Sequence, residues 1–294
     1  MSKTNYGGQA VIEGVMMMGK DKVGIAVRRS PDDIVIEERE LKPLDKRFSF
    51  LKWPFIRGVV SLFRTLIIGL KALNFSAEQV MEEEGEEIKP LELALSMLLA
   101  FSFAILLFVV LPAGIIHFIQ GYIDNNIILN LFEGIIKITT FLGYLFIISR
   151  FNDIKRVFRY HGAEHKVIFN YESGQELSVK NARKFTTFHP RCGTNFLFIV
   201  ILLSIFFFSF FGRPPLLQRI LYHIMLLPVI AGTSYEIIKL SGKDSVNPFI
   251  KLIATPGLWV QRLTTAEPDD SMLEVAILAL KTVLPNDERD EENE

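Results

Sequence analysis

Residues 93–119 read LALSMLLAFSFAILLFVVLPAGIIHFI, a run without a single Asp, Glu, Lys or Arg. A bilayer core about 30 Å thick takes roughly 20 apolar residues of helix to cross, so this run is long enough to span it. Three more apolar runs follow, at about Ile127–Ser149, Asn195–Phe211 and Leu216–Leu240. The third is short but nearly all Phe, Ile and Leu, and Pro228 predicts a kink in the fourth. The whole chain of 294 residues is 50% hydrophobic with a mean hydropathy of +0.31, too apolar for an ordinary soluble protein. Its net charge of −1 argues against nucleic acid as a partner and leaves the lipid bilayer as the expected one.

Charge asymmetry orients the spans. The loop Gln120–Asn126 has no Lys or Arg, and between the third and fourth runs only Arg213 stands clear, with Arg219 at the boundary. The loop between the second and third runs carries Arg150, Lys155, Arg156, Arg159, Lys166, Lys180, Arg183, Lys184 and Arg191. Positive residues stay inside, which predicts a multi-pass protein of the cytoplasmic (inner) membrane with that loop and both termini in the cytoplasm. The single cysteine, Cys192, excludes an intramolecular disulfide and fits a reducing compartment. Residues 1–6 open no apolar segment of the kind a cleavable signal needs.

Outward from the spans, residues 1–52 read as a small β unit. Val23–Arg29 and Ile34–Glu40 are expected strands around the turn Ser30-Pro31-Asp32-Asp33. Residues 53–90 read as an amphipathic helix lying in the interface, with Arg57, Arg64 and Lys71 on one face, followed by an acidic linker. The loop of residues 150–194 is too long and too patterned for a tether. It reads as a helix capped by Asp153, a strand over Val167–Tyr171, and a short basic helix capped by Ser178. After the spans at 195–240, Thr255–Arg262 reads as an interfacial Trp/Arg element. A C-terminal helix follows over Met272–Leu284, capped by Asp269-Asp270-Ser271, with an acidic tail behind it. The expected fold is thus an α-helical polytopic membrane protein of about four transmembrane helices. A cytoplasmic α/β cap is expected from the N-terminal β unit and the loop between spans two and three.

Chemistry concentrates where that loop meets the membrane. Tyr160-His161-Gly162-Ala163-Glu164-His165-Lys166 contains H-x-x-E-H. On a helix, His161 and His165 share a face and are candidate ligands of a divalent transition metal such as zinc. Glu164 is the candidate general base, in the order seen in inverted zincins. Gly162 counts against the helix by about 1 kcal/mol relative to Ala. His189 and Cys192 precede the third span, and Glu236 sits near the cytoplasmic end of the fourth. His189 or Glu236 is expected to complete the ligand set, and Cys192 is a candidate ligand or nucleophile. Glu13, a carboxylate between apolar residues, is a further catalytic candidate. His117 and His223 read as packing or interfacial residues, and Glu133 with Lys137 as an intramembrane ion pair.

The motifs GGQAVIEGVMM at 7–17, YHGAEHK at 160–166, HPRCGT at 189–194 and GTSYE at 232–236, with the stretch 255–262, resemble the bacterial YqhQ-like membrane proteins. That family is uncharacterised and commonly labelled as predicted metal-dependent enzymes. The resemblance implies a membrane location and the same His and Glu cluster. Together these readings lead to an expected metal-dependent hydrolase at the cytoplasmic membrane face, acting on a lipid-linked or membrane-peptide substrate. The alternative is a non-catalytic scaffold or transport component with a structural or regulatory cluster.

Overall fold

The N-terminal segment forms a meander of four antiparallel strands in the order β1(Gly7–Val11), β2(Gly14–Met18), β3(Lys22–Ser30) and β4(Asp33–Glu40) in the computed structural model. The structure describes residues 6–41, 53, 56–83, 90–211, 215–241 and 248–285. Strand pairing of Ala26 with Ile36 and Val27 with Val35 sets the β3–β4 register around the expected turn. Side chains alternate across a strand, and here both faces are covered. Val15, Met17 and Ala26 pack on one face, with Met272, Ala276 and Leu280 of the C-terminal helix. Val11, Met16, Val23, Ile25 and Val27 pack on the other, against Ala72 and Ile68.

Ala72 and Ile68 belong to α1(Ile56–Glu83). This helix is amphipathic, as expected, but it does not lie alone in an interface. Its second half covers the sheet, and its first half packs on the long apolar helix of residues 216–241 described below. The reason is the alternation of β2 and β3, which leaves a second apolar face that the sheet must bury. The acidic linker falls mostly outside the described residues, as do Arg213 and the acidic tail.

The apolar runs are helical. α2(Pro90–Ile105), a π-helical turn at Leu106–Val110 and α3(Leu111–Ile119) form one continuous rod. Pro112 sits at the start of α3, where a missing N–H disturbs the i→i−4 ladder, so the wider turn just before it has a local cause. α4(Asn126–Ile148) starts on Asn125, whose side chain accepts from the N–H groups of Ile127 and Ile128. Three helices, Leu91–Ile119, Asn126–Ile148 and Ile220–Ser241, are long and apolar enough to cross a membrane. The expected third span is shorter. α7(Gly193–Phe208) has 16 residues, about 24 Å at 1.5 Å per residue, and stops short of a bilayer core. The fourth run is α8(Leu216–Ser241), continuous through Pro228. α9(Pro248–Thr264) then packs back on α7 and α4, with Val260 buried among Phe141, Leu145 and Phe198.

Glu133 and Lys137 do pair, at 2.9 Å with 3% and 8% of their side chains exposed. His223 joins them, its Nε2 2.8 Å from Lys137 Nζ and its ring stacked on Phe208. It is therefore a polar partner as well as a packing residue.

The loop between α4 and α7 departs from the strand expectation. α5(Asn152–Glu172) is one unbroken helix, so residues 167–171 are helical. Val167 and Ile168 fit a helix as well as a strand because both are buried in a core with α10(Asp270–Val283), and tertiary burial overrides β-propensity there. Phe151, not Asp153, is the N-cap, and Asp153 lies in the first turn. The short helix is α6(Val179–Ala182), capped by Ser178 as expected. α10, capped by Asp269 on the N–H of Met272, is the central helix of the cap, in contact with β2, β3, α5 and α6. The cap thus contains α10 and half of α1 besides the expected sheet and loop.

Candidate metal centre

α5 passes under the segment that follows α9 so closely that only glycine fits. A Cβ on Gly162 would lie 2.1 Å from the carbonyl oxygen of Ala266, and the Ala266 N–H donates to Phe158 O at 2.9 Å. The glycine that weakens the helix locally is what lets α9 end against it. This contact brings the Thr264 carbonyl to within 2.8 Å of His161 Nδ1. One turn on, His165 Nδ1 is 2.5 Å from Thr187 O. A carbonyl accepts only, so each Nδ1 carries a proton toward it and each Nε2 is turned inward toward the cluster.

The third inward group is Cys192. It is the N-cap of α7, accepts from Thr194 N, and places its Sγ 3.2 Å from His161 Nε2. Donor atoms of His161, His165 and Cys192 all lie within 4.8 Å of one another, a spacing that could hold a metal ion. The electrostatics match. Burial alone would lower His161, but the adjacent Cys192 sulfur, with Glu164 and the Thr264 carbonyl, holds it up to about 9. Burial alone would raise the Cys192 thiol, but His161 and His165 hold it well below its ordinary value. The pair is a thiolate beside an imidazolium.

Glu164 lines the same cavity of about 270 Å³ and is 5% exposed. Burial raises its pKa against the pull of the two histidines, and its carboxylate accepts the backbone N–H of Gly8. Gly8 has no room for a side chain, because a Cβ there would lie 2.6 Å from the Met16 carbonyl oxygen and 3.0 Å from the Glu164 side chain. β1 therefore reaches the site through bare backbone.

The remaining candidates are placed differently. His189 lines the cavity, its ring 5.5 Å from that of His165, and it is clamped by Gln261, which accepts from its N–H and donates to its carbonyl. Its Nδ1 accepts from Arg191 N, and its Nε2 faces Glu172 at 3.9 Å, so both ring nitrogens turn away from the cluster. Arg191 pairs with Glu172, and the cation beside Cys192 is His161. Glu236 is held by Arg57 of α1, with Nε 2.7 Å from Oε1 and a second bond alongside, and is not brought to the cluster. Glu13 sits in the β1–β2 turn at φ 50° and binds Arg156 through both carboxylate oxygens, also outside the cluster. Gln261 and the carbonyls of Thr187 and Thr264 escaped the sequence reading. Only a buried Gln inside the 255–262 motif signalled any of them.

Residues 53–286 match a family described as "Protein of unknown function (DUF1385)". The chain belongs to this family. It is 34% identical over 302 residues to the uncharacterized protein YqhQ of Bacillus subtilis (strain 168), covering 98% of this chain and 95% of that one. No solved structure matches it. The family match begins with α1, so it contains His161, Glu164, His165, Cys192 and Gln261, while β1 lies outside it.

Proposed function

We propose that His161, His165 and Cys192 hold a divalent transition ion, with zinc the first choice, in a hydrolase working at the cytoplasmic face of the membrane. The observation that carries the reading is the pair of carbonyl tethers. Thr264 O and Thr187 O each fix the outer nitrogen of one histidine and aim the other at a common point beside a thiolate. Metal-binding histidines characteristically have such partners. Three protein donors facing a cavity leave a fourth position open, as in catalytic rather than structural sites. An ion bound there supplies Lewis acidity at that open position.

The rest of the chemistry belongs to side chains of this chain. Glu164 is the proton carrier: its buried carboxylate accepts a proton from the attacking water and returns it to the leaving group. The Gly8 N–H orients that carboxylate. His189, with its nitrogens engaged by Arg191 N–H and Glu172, is a wall of the cavity beside Phe169. The basic loop and the apolar helices around the site favour a substrate carried in the membrane, lipid-linked or a membrane peptide.

The 3.2 Å Sγ–Nε2 contact favours one second reading, in which Cys192 is a nucleophile activated by His161. Metal analysis separates the two. Purified protein, stripped and reloaded, should retain one transition ion per chain, and Cys192→Ser should lose it. Failure to retain any of several ions, with Cys192 alkylating rapidly, would establish the thiol reading instead. Failure on both counts would leave the non-catalytic scaffold.

A further inference from the structure

The cavity at the cluster has a second end. Leu62 and Thr65 of α1, Phe196 of α7, and Tyr235 and Ile238 of α8 wall it there, all of them half-buried. Exposed apolar side chains continue outward from each of these helices, with Arg64 and Lys239 among them. Phe63, Leu66 and Ile67 are exposed on α1, Leu197 on α7 and Leu240 on α8. α8 is one of the membrane-long helices and α7 the shorter apolar one. The mouth of the cavity is therefore continuous with the apolar surface that the membrane helices present to their surroundings. An apolar patch of that kind facing water would be unusual for a monomer, whereas facing hydrocarbon it costs nothing.

What enters is narrowed by β1, the edge strand that lines the same cavity through Gly7 and Gly8. An extended peptide is commonly recognised by adding to such an edge, through unpaired backbone groups. Here part of the edge is already engaged. The Gly8 N–H is given to Glu164, and the Ile12 N–H just beyond the strand to Ser76 Oγ at 3.2 Å. The walls between the cluster and the mouth otherwise offer apolar side chains and the hydroxyls of Ser61, Thr65 and Tyr235. An alkyl chain needs no hydrogen bonds and suits such walls. A peptide backbone would leave its own groups unpaired there.

We infer that the groove between α1, α7 and α8 holds the acyl chain of a membrane lipid, entering sideways from the bilayer, with the lipid's polar group delivered to His161, His165, Cys192 and Glu164. The fate of the polar group rests on the metal-site reading. The place of the chain does not.

The test is photocrosslinking in nanodiscs of phosphatidylcholine doped with a phosphatidylcholine that carries a diazirine in its acyl chain, with labelled residues mapped by mass spectrometry. Labels are expected on Leu62, Phe196, Tyr235 or Ile238, and excess unlabelled lysophosphatidylcholine should compete them away. Labels on exposed bilayer-facing residues such as Leu98 and Phe103 should not be competed. Leu62→Trp, which fills the groove, should reduce groove labelling by about tenfold, the equivalent of about 1.4 kcal/mol of lost chain burial. Labels confined to the outer faces, or groove labels that no lysolipid displaces, would overturn the proposal. So would groove labelling obtained with a photoreactive apolar peptide but not with the lipid. The same measurement on His161→Ala keeps the two readings apart. Competable labels in a protein that never binds metal would leave the groove standing and remove the metal. Bound metal without groove labels would do the reverse.

Discussion

Cys192 Sγ lies 3.2 Å from His161 Nε2, across 31 residues of sequence and between two different helices. The contact joins the N-cap of the apolar helix α7 to the H-x-x-E-H face of α5. Any ion held there would link the α/β cap to the apolar helices.

Ligation and proton transfer should separate by mutation. His161→Ala, His165→Ala and Cys192→Ser each remove a donor of the cluster and should lower metal occupancy. Glu164→Gln should retain the ion and lose turnover, by about 10²–10⁴-fold for a general base. Glu236→Gln should leave metal content unchanged, since its carboxylate is committed to Arg57. Metal analysis of the five variants checks this, and loss of the ion from Glu236→Gln would move Glu236 into the ligand set.

Metal affinity should rise with pH through neutrality. His161 holds a proton up to about 9, while Cys192 is already depressed well below its ordinary thiol value. An arriving ion must displace the His161 proton and no other from that pair. Apparent affinity should therefore climb about tenfold per pH unit below that point and level off above it. Chelator competition across a pH series measures the slope; a flat profile near neutrality would mean that His161 is neutral in the metal-free site.

Gly162→Ala sets two effects against each other. Helix propensity favours Ala by about 1 kcal/mol. The new Cβ would lie 2.1 Å from Ala266 O, a backbone atom that cannot swing aside, and overpacking of this kind costs typically about 1–3 kcal/mol. Net destabilisation is expected, read as a lower thermal midpoint in detergent. A rise in the midpoint would show that α9 does not end against α5.

Removing Glu133 should be costly. Its loss leaves the Lys137 ammonium buried without that carboxylate, and breaking a buried pair typically costs about 3–5 kcal/mol. Glu133→Ala should unfold well before wild type, and Glu133→Ala with Lys137→Leu should recover much of the loss. Equal instability of the single and double variants would mean that the pair contributes packing alone.

The Lys and Arg asymmetry of the loops predicts the topology. Reporter fusions at Asn125 and at Glu294 should give signals from opposite sides. The same signal from both would remove the orientation that places the cluster in the cytoplasm.

Sequence alone determined the features that depend on neighbours along the chain. The apolar run at 93–119, the β3–β4 turn, the caps Ser178 and Asp269, and the shared face of His161 and His165 all follow from local periodicity and composition. It also led to the expectation that His189, Cys192 and Glu236 share one membrane face, because each stands near the end of an apolar run that the loop charges place on the same side. Tertiary structure decided which of them meet. Cys192 reaches His161, while Arg57, 179 residues from Glu236, holds that carboxylate elsewhere. Val167–Tyr171 became helix because a short apolar, β-branched run has the same composition in either form and is settled by the core it enters. The carbonyls of Thr187 and Thr264 and the Gly8 N–H orient the site through backbone groups, which every residue carries. Their positions come from packing over long sequence distance, and no side-chain pattern encodes them.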